Sequence, residues 1–453
     1  MAKTQDSSIR RTLRKLFPSR SVEKLAREAG AVQRQRKVDI VALFWTVVLG
    51  FAVQRKRSMA ALRRAYEKTT GQTLEESSFY ARFSERFARL LQQAIAYALD
   101  QGRTTGRRIK GALAAFRDVV VADATVLRLH DLLAKTYPGT RTNQGLAAAK
   151  LHVVLSVRGA GRQSVRLTGE RIADGKVLVI GPWVQSKLLL FDLGYFKYQL
   201  FARIIQNGGY FVSRLKSTTN PQIVSTNRTH RGRALPVVGQ CLKDLRPRLR
   251  RQVLDVEVHV HFYRRSYAGR RHRDTMTLRM VGVRHPHTRQ HHFFLTNIPV
   301  DKLAAEDISA VYAARWQVEL LFNQLKSSYH LDQLPSRKVH VVRSLVYASV
   351  LTLIVSQRLR AAILRRLRLE SDRLPENRFA QVFAAAAQEI LRILVSPPRH
   401  TFFLQHDVSR MLSHEAVDPN VHRPGLLEAI GTRQHRRQLN PLNAKQIQPP
   451  SCC

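Results

Sequence analysis

Acidic residues and sulfur are both scarce in this 453-residue chain. Asp and Glu number 32 against 76 Lys and Arg, and there are three cysteines, three tryptophans and five methionines. With Cys241 isolated and Cys452 and Cys453 side by side at the tail, neither a disulfide framework nor a C-x2-C pair of metal knuckles is available. Long apolar runs are also missing. Val38 to Val53 is interrupted by Asp39 and the run from Leu345 to Val355 is short; both fall below the roughly 18 consecutive apolar residues of a membrane span. The opening MAKTQDSSIRR has no apolar core and does not read as a secretory signal. A cytoplasmic location is the expectation. The shortage of acid leaves a formal charge of +44, while 44% of residues are hydrophobic, so the chain is not a disordered polybasic tail. Charge on that scale, spread over folding segments, calls for a polyanion, and nucleic acid suits it better than an anionic membrane, which favours one concentrated basic helix.

The length allows two or three domains. Residues 1–110 read as helical. Ser21 precedes VEKLAREAG, an apolar helix begins near Val38, and SMAALRRAYEKTTG and SSFYARFSERFARLLQQAIAYAL follow, the last with Ser77 or Ser78 as a cap. Arg34, Arg36, Lys37, Arg55, Lys56 and Arg57 flank the apolar helix, which suggests a helical DNA-binding domain or a bundle with a basic surface. From about residue 117 the period changes. RDVVVADATVL reads as a strand with Asp123 near its end, LHVVLSV and QSVRLTGER as a hairpin about Gly159-Ala160-Gly161, and KLLLFD, GYFKYQLFARIIQNGG and YFVSRLK as a βαβ unit. This first part, 111–219, precedes a β-rich segment, 220–300, where DVEVHVHF and part of TMTLRMVGV alternate strictly. Residues 301–400 return to helices, and 401–453 end in a tail, NAKQIQPPSCC, expected to be disordered. The fold class is α/β (α+β).

Between Tyr312 and Lys326 the chain reads YAARWQVELLFNQLK. On a continuous helix at about 100° per residue, Tyr312, Arg315, Glu319 and Lys326 fall near 0°, 300°, 340° and 320°, one stripe about 60° wide. Ala314, Val318, Leu321, Phe322 and Leu325 form an adjacent apolar stripe. From spacing alone this is equally a solvated surface helix. Two further acids follow apolar runs: Asp123-Ala124-Thr125 after Val119-Val120-Val121, and Asp192-Leu193-Gly194-Tyr195 after Leu188 to Phe191. In this order, with Phe294-Leu295-Thr296-Asn297 ahead of the helix, the motifs resemble the DDE transposases of bacterial insertion-sequence family four and their Y-R-E-K signature, over roughly residues 10–400.

The resemblance implies a ribonuclease-H-like catalytic core interrupted by the β-rich insertion, with Asp123, Asp192 and Glu319 as catalytic metal ligands. In-line phosphodiester chemistry is served by two divalent ions roughly 3.5–4 Å apart, and carboxylates are the hard ligands that Mg2+ or Mn2+ takes. Each acid alone is equally a turn or capping residue. Tyr312, Arg315 and Lys326 are implied to hold DNA; Arg offers a bidentate fork and Lys a point charge to phosphate. Trp316, at the edge of the stripe, is expected to pack. Thr125 either orients Asp123 or is simply a β-branched strand residue. The implied partners are terminal inverted repeats and target DNA, with a homodimer at synapsis in a bacterial cytoplasm, nucleoid-associated and away from membranes. Some members of the family form a DNA hairpin and hold a flipped base on aromatics of the insert, which here contains no Trp but has Phe262, Tyr263 and Tyr267. His285, His287, His291 and His292 read as a basic strand surface rather than a zinc site. Two other readings stay open: a nuclease of the same core without strand transfer, and a DNA-binding protein derived from a transposase.

Overall fold

The computed structural model describes residues 9–418 except 33–37, 52, 54–57, 102–110, 141–144, 158–162, 231–232, 264–272 and 286–287. Helices come first: α1 (Ile9–Leu16), α2 (Ser19–Glu28), α3 (Ile40–Gly50), α4 (Met59–Thr70), α5 (Glu76–Tyr80) and α6 (Glu85–Gln101). Asp39 breaks the apolar run because it caps α3, its Oδ1 accepting from the backbone N–H of Val41 and Ala42 at 2.7 and 3.2 Å. Ser58 caps α4 in the same way, and Gly71, at φ 73°, ends it. Two expected caps are elsewhere. α2 starts at Ser19 behind Pro18, which has no N–H to satisfy, so Ser21 lies inside the helix. The helix expected from Ser77 is two helices, and Ser84 caps the longer one by accepting from the N–H of Phe87. The break keeps Phe79, Phe83 and Phe87 in one buried column with successive ring centroids 5.5 Å apart. The six flanking cations, Arg34, Arg36, Lys37, Arg55, Lys56 and Arg57, lie outside the described residues.

The change of period marks the sheet. β1 (Asp118–Leu129) is followed by β2 (Ala147–Ser156) and β3 (Ser164–Gly169), which pair antiparallel with Lys150 opposite Thr168. The tip of that hairpin, 159–161, is outside the described residues. After the short α7 (Asp174–Val177) come β4 (Lys187–Phe191), α8 (Tyr198–Gln206) and β5 (Tyr210–Arg214). β4 and β5 are parallel, with Leu190 level with Val212, as a βαβ unit requires. Gly209 allows the return from α8, since a Cβ there would stand 2.9 Å from Val184 Cγ2.

Then come β6 (Gln222–Thr226), β7 (Thr229–His230), β8 (Arg233–Ala234), α9 (Leu242–Leu245), β9 (Val253–Tyr263), β10 (Arg273–Arg284) and β11 (His291–Thr296). The alternation read in DVEVHVHF is real, with Val256, Val258 and Val260 all buried. β11 pairs antiparallel with both β5 and β10, and β9 with both β10 and β6. These strands continue outward from β5, and the order is β3-β2-β1-β4-β5-β11-β10-β9-β6, a nine-strand mixed sheet, with β7 and β8 a separate pair. The chain closes with α10 (Ala305–Ala313), α11 (Trp316–Ser327), α12 (Val339–Leu367), α13 (Glu376–Ala385), α14 (Ala387–Val395) and α15 (Phe402–His414). The fold is therefore mixed α/β with helices at both ends.

Contacts divide the chain into two units. The first holds the described residues of 1–106, 122–178 and 316–423, and the second those of 107–121 and 179–315. Residues 118–121 of β1 count with the second and the rest of the strand with the first. In the first unit, α12 packs against α1, α3, α6 and α13. It is 29 residues long and apolar enough by length and composition to cross a membrane, so the apolar run extends beyond the Leu345–Val355 stretch seen in sequence. However, 78% of its most apolar window is buried within the protein. Its polar residues turn inward: Thr352 donates to Ala348 O at 2.8 Å and also to Val48 O, and Ser349 to Leu345 O at 3.2 Å. Arg343 at its start donates to Tyr137 Oη at 2.7 Å and to Glu85 at 2.6 Å. In the second unit, α8 and α10 lie against β5 and β9. A buried Arg279 clasps Asp255 at 2.9 and 2.7 Å while also donating to the carbonyls of Ile298 and Leu303, so the segment leading into α10 is tied to β10.

Candidate active site

The six candidate residues fall in both units. Asp192 directly follows β4, as the sequence predicts. It occupies the N-cap position of a 3-10 turn, Leu193–Tyr195, but its side chain makes no capping hydrogen bond. Leu190 is level with Val212 in the parallel ladder, and Asp192 and Arg214 each lie two residues beyond that pair. Tyr312 on α10 stands beside the same group. Its hydroxyl is 3.5 Å from Phe191 O, its ring 5.3 Å from that of Phe294, and Arg315 Cζ lies 5.6 Å from its ring centroid. Burial pushes the Tyr312 hydroxyl above its ordinary pKa, Arg315 and Arg214 oppose that, and Asp192 adds to it. The phenol therefore keeps its proton and can donate to a phosphate oxygen. The second unit thus brings Asp192, Arg214, Tyr312 and Arg315 together.

Asp123, Glu319 and Lys326 belong to the first unit. Asp123 is not near a strand end: β1 runs on to Leu129. The burial pattern gives the reason. Residues 118–122 are buried on both faces and the strand becomes half-exposed at Asp123, so the fading of hydrophobicity marks a change of environment rather than a terminus. The Asp123 carboxylate accepts from the N–H of Ala124 at 2.8 Å, and Thr125 is a buried strand residue. Glu319 and Lys326 are half-buried on α11, seven positions apart and so on one stripe.

The signature segment is not one helix. α10 ends at Ala313, the N–H groups of Ala314 and Arg315 bond back to Val311 and Tyr312 in i→i+3 fashion at 3.0 Å, and α11 begins at Trp316. The helical wheel consequently holds for Glu319 and Lys326 but not for Tyr312 and Arg315. Trp316, expected to pack, opens a new helix and stands 45% exposed.

In the β-rich segment, Phe262 is buried with its ring 6.1 Å from Tyr198, whereas Tyr263 is 46% exposed; Tyr267 and His287 lie outside the described residues. Asn297 and Thr296 are structural. Asn297 accepts from Phe211 N–H at 3.0 Å and donates to Gly209 O at 2.8 Å, and Thr296 donates to Phe211 O at 2.6 Å, extending the β11–β5 ladder. Arg214 was missed by the sequence reading. Its signal was available, because it ends the strand paired in parallel with the one that Asp192 follows.

The three carboxylates are chemically suited to Mg2+, a hard cation that takes oxygen ligands. Among the described residues no group of three or more His, Cys, Asp or Glu side chains is placed to hold a metal ion.

Comparison with known proteins decides the family. Residues 114–355 match the family model described as "Transposase DDE domain". The chain belongs to the DDE transposase family. That span contains all six candidate residues. The chain is 22% identical over 370 residues to the transposase for insertion sequence element IS231F of Bacillus thuringiensis subsp. israelensis, covering 73% of this chain and 75% of the relative. It is likewise 22% identical over 377 residues to the transposase for IS231C of Bacillus thuringiensis subsp. berliner, covering 76% and 77%. A shorter stretch of 61 residues is 38% identical to the putative transposase InsL for IS186A of Escherichia coli K12, covering 14% and 16%. Insertion-sequence transposases of the IS231 type are thus among the relatives of this chain, in agreement with the resemblance read from its motifs.

Proposed function

We propose that the chain catalyses cut-and-paste transposition of an insertion sequence, cleaving DNA at terminal inverted repeats and joining the freed 3′-hydroxyl to target DNA. What carries this reading is the order and placement of Asp123, Asp192 and Glu319 inside the family-matched span, with Arg214, Tyr312 and Arg315 gathered around the second acid. The core, 111–219 and 301–400, is read as ribonuclease-H-like and interrupted by residues 220–300. Residues 1–110 are read as the helical DNA-binding domain, and 401–453 as the C-terminal region.

Asp123, Asp192 and Glu319 would hold two Mg2+ ions, for which Mn2+ can substitute. Bound there, the metals would supply Lewis acidity and charge neutralisation at the scissile phosphate. The chain's own residues orient the strand: Tyr312 donates a hydrogen bond through a hydroxyl that burial keeps protonated, Arg315 presents its fork, and Lys326 its mobile charge. The net charge of +44 draws duplex DNA to the surface and makes binding depend steeply on salt. The reading includes a homodimer when two ends are synapsed, and a cytoplasmic, nucleoid-associated location.

The test uses supercoiled DNA carrying the two ends of the element, with wild type and Glu319→Gln compared in Mg2+ and Mn2+. Excision by wild type and its loss in the variant, with end binding retained, is the expected result. Excision by Glu319→Gln would remove Glu319 from the site. End binding by wild type without excision in either metal would favour a binding protein over an enzyme.

A further inference from the structure

Where β5 ends and β11 begins, the second unit contains a cationic pocket that none of the motifs covers. It has a volume of about 130 Å³ and is lined by Arg214, Lys216, Lys243, Arg246, His291 and His292, with the hydroxyls of Ser217 and Thr219 and the apolar Leu215, Leu242 and Phe293. That is well above the roughly 10–15 Å³ that one water needs. No carboxylate lines it.

The walls are organised by the fold. The N–H of Leu215 bonds to Phe293 O at 2.8 Å, joining the β5 side to the β11 side. The 216–219 turn is closed by the Thr219 N–H and hydroxyl, both donating to Lys216 O, at 3.1 and 2.6 Å. Asn220 Oδ1 accepts from the N–H of Lys243 at 2.8 Å, which fixes the start of α9 and so the segment bearing Lys243 and Arg246. Lys216 Nζ lies 5.6 Å from the Phe196 ring centroid. Arg214 donates to His292 Nδ1 at 2.9 Å, which requires a ring with that nitrogen unprotonated and leaves Nε2 as a donor. His291 is held by its contact with Arg251 O at 2.8 Å and by stacking on Phe293. Burial and the neighbouring Arg214, His285 and His291 all push the His292 pKa down, as expected where positive charge is crowded.

Arg214, Lys216, Lys243 and Arg246 line one pocket that no carboxylate lines, so their like charges repel one another unless an anion lies among them. Arg and Lys together with hydroxyls are the groups that contact phosphate oxygens. Arg214 also belongs to the Asp192–Tyr312 group, so the pocket and that group share a wall.

We propose that this pocket is a phosphate-binding subsite, holding one backbone phosphodiester of the DNA strand whose cleaved end reaches Tyr312 and Arg315. The assignment rests on the transposase reading and locates a contact outside the Y-R-E-K signature. Lys243 and Arg246, which no motif includes, are its specific members, and Arg214 links it to the candidate active site.

The test is ethylation interference on a duplex bearing one element end, with wild type and the Lys243→Gln/Arg246→Gln double variant. In wild type, ethylating one phosphate near the end should weaken binding several-fold. In the variant, that position should no longer interfere, while interference at the other phosphates persists. The slope of log affinity against log salt should fall in magnitude by about 0.9, the contribution of the one phosphate contact that is lost. An unchanged interference pattern in the variant would overturn the proposal, as would an unchanged slope. Loss of interference at every phosphate, with a normal circular dichroism spectrum, would also refute it, because the pair would then act as diffuse charge. Absence of end-specific binding by wild type is a different outcome: it would sink the transposase reading itself.

Discussion

Breaking the Asp255–Arg279 pair should be among the most damaging single changes available in the second unit. Both side chains are at most 2% exposed. Asp255 accepts from Arg279 Nε at 2.9 Å, from Arg279 Nη2 at 2.7 Å and from Asn227 Nδ2 at 3.0 Å. Asp255→Leu would leave a buried guanidinium with backbone carbonyls as hydrogen-bond acceptors and Glu257 as a neighbouring charge, and removing one partner of a buried pair costs about 3–5 kcal/mol. For a unit of this size that corresponds to a loss in Tm on the order of 10 °C. The double variant Asp255→Leu/Arg279→Met should recover more than half of the loss, because apolar replacement of a whole buried pair is often close to neutral. It would not recover all of it, since the carbonyls of Ile298 and Leu303 lose the donor they had at 3.1 and 2.8 Å. Urea unfolding with hydrogen exchange of the β9 and β10 amides reads the effect where it arises. A cost below about 1 kcal/mol for Asp255→Leu, or a double variant as unstable as the single, would refute the reasoning. The same experiment bears on function, because Arg279 secures the segment that enters α10 and so the seat of Tyr312.

Two other sites give sharper tests of local physics. His152 is buried on β2 with Nε2 2.8 Å from Thr168 Oγ1. Burial, aided by Lys150 and Arg166 and opposed by Asp174, lowers its pKa to about 4. Below about pH 6.5 the unfolded chain therefore binds a proton that the folded chain refuses. Stability should be full above that pH and fall as pH drops towards about 4, where the loss levels off after at most about 3–4 kcal/mol. Unfolding free energies of wild type and His152→Gln between pH 4 and 7 should converge as pH falls, and parallel curves would exclude the linkage. At Gly282 on β10 an added Cβ would stand 2.8 Å from Phe293 Cε1, so Gly282→Ala should cost about 1–3 kcal/mol by overpacking. Chemical denaturation should show Phe293→Leu relieving that cost, and Gly282→Ala at wild-type stability would mean that the ring moves freely.

Much of the fold was legible because it is written in periodicity. The β2–β3 hairpin, the β4–α8–β5 unit and the alternating strand β9 follow from short apolar runs, from alternation of period two or from an apolar helix ended by glycine. Local capping was less legible. Pro18 and Ser84 displaced Ser21 and Ser77 because helix starts are set by where the buried face must begin, and several nearby residues can cap equally well. What sequence could not give was continuation across the sheet. Nothing in the pattern of residues 220–300 says that β11 runs antiparallel beside β5, since strand pairing is decided by long-range contacts.

The signature segment shows why motif and geometry need separate arguments. Its four residues were grouped by assuming an unbroken helix, and the break at Ala314–Arg315 removes that justification for Tyr312 and Arg315 while leaving it for Glu319 and Lys326. The family match spans the whole segment whatever its local geometry. The two halves then serve different needs. Tyr312, at the end of α10, and Arg315, in the turn after it, stand with Asp192 beyond the end of β4. Glu319 and Lys326 ride on a separate helix, where seven-residue spacing keeps a carboxylate and an ammonium on one stripe about 10 Å apart. An interruption of two residues suffices to decouple these constraints, and a continuous helix would have forced all four groups to rotate together.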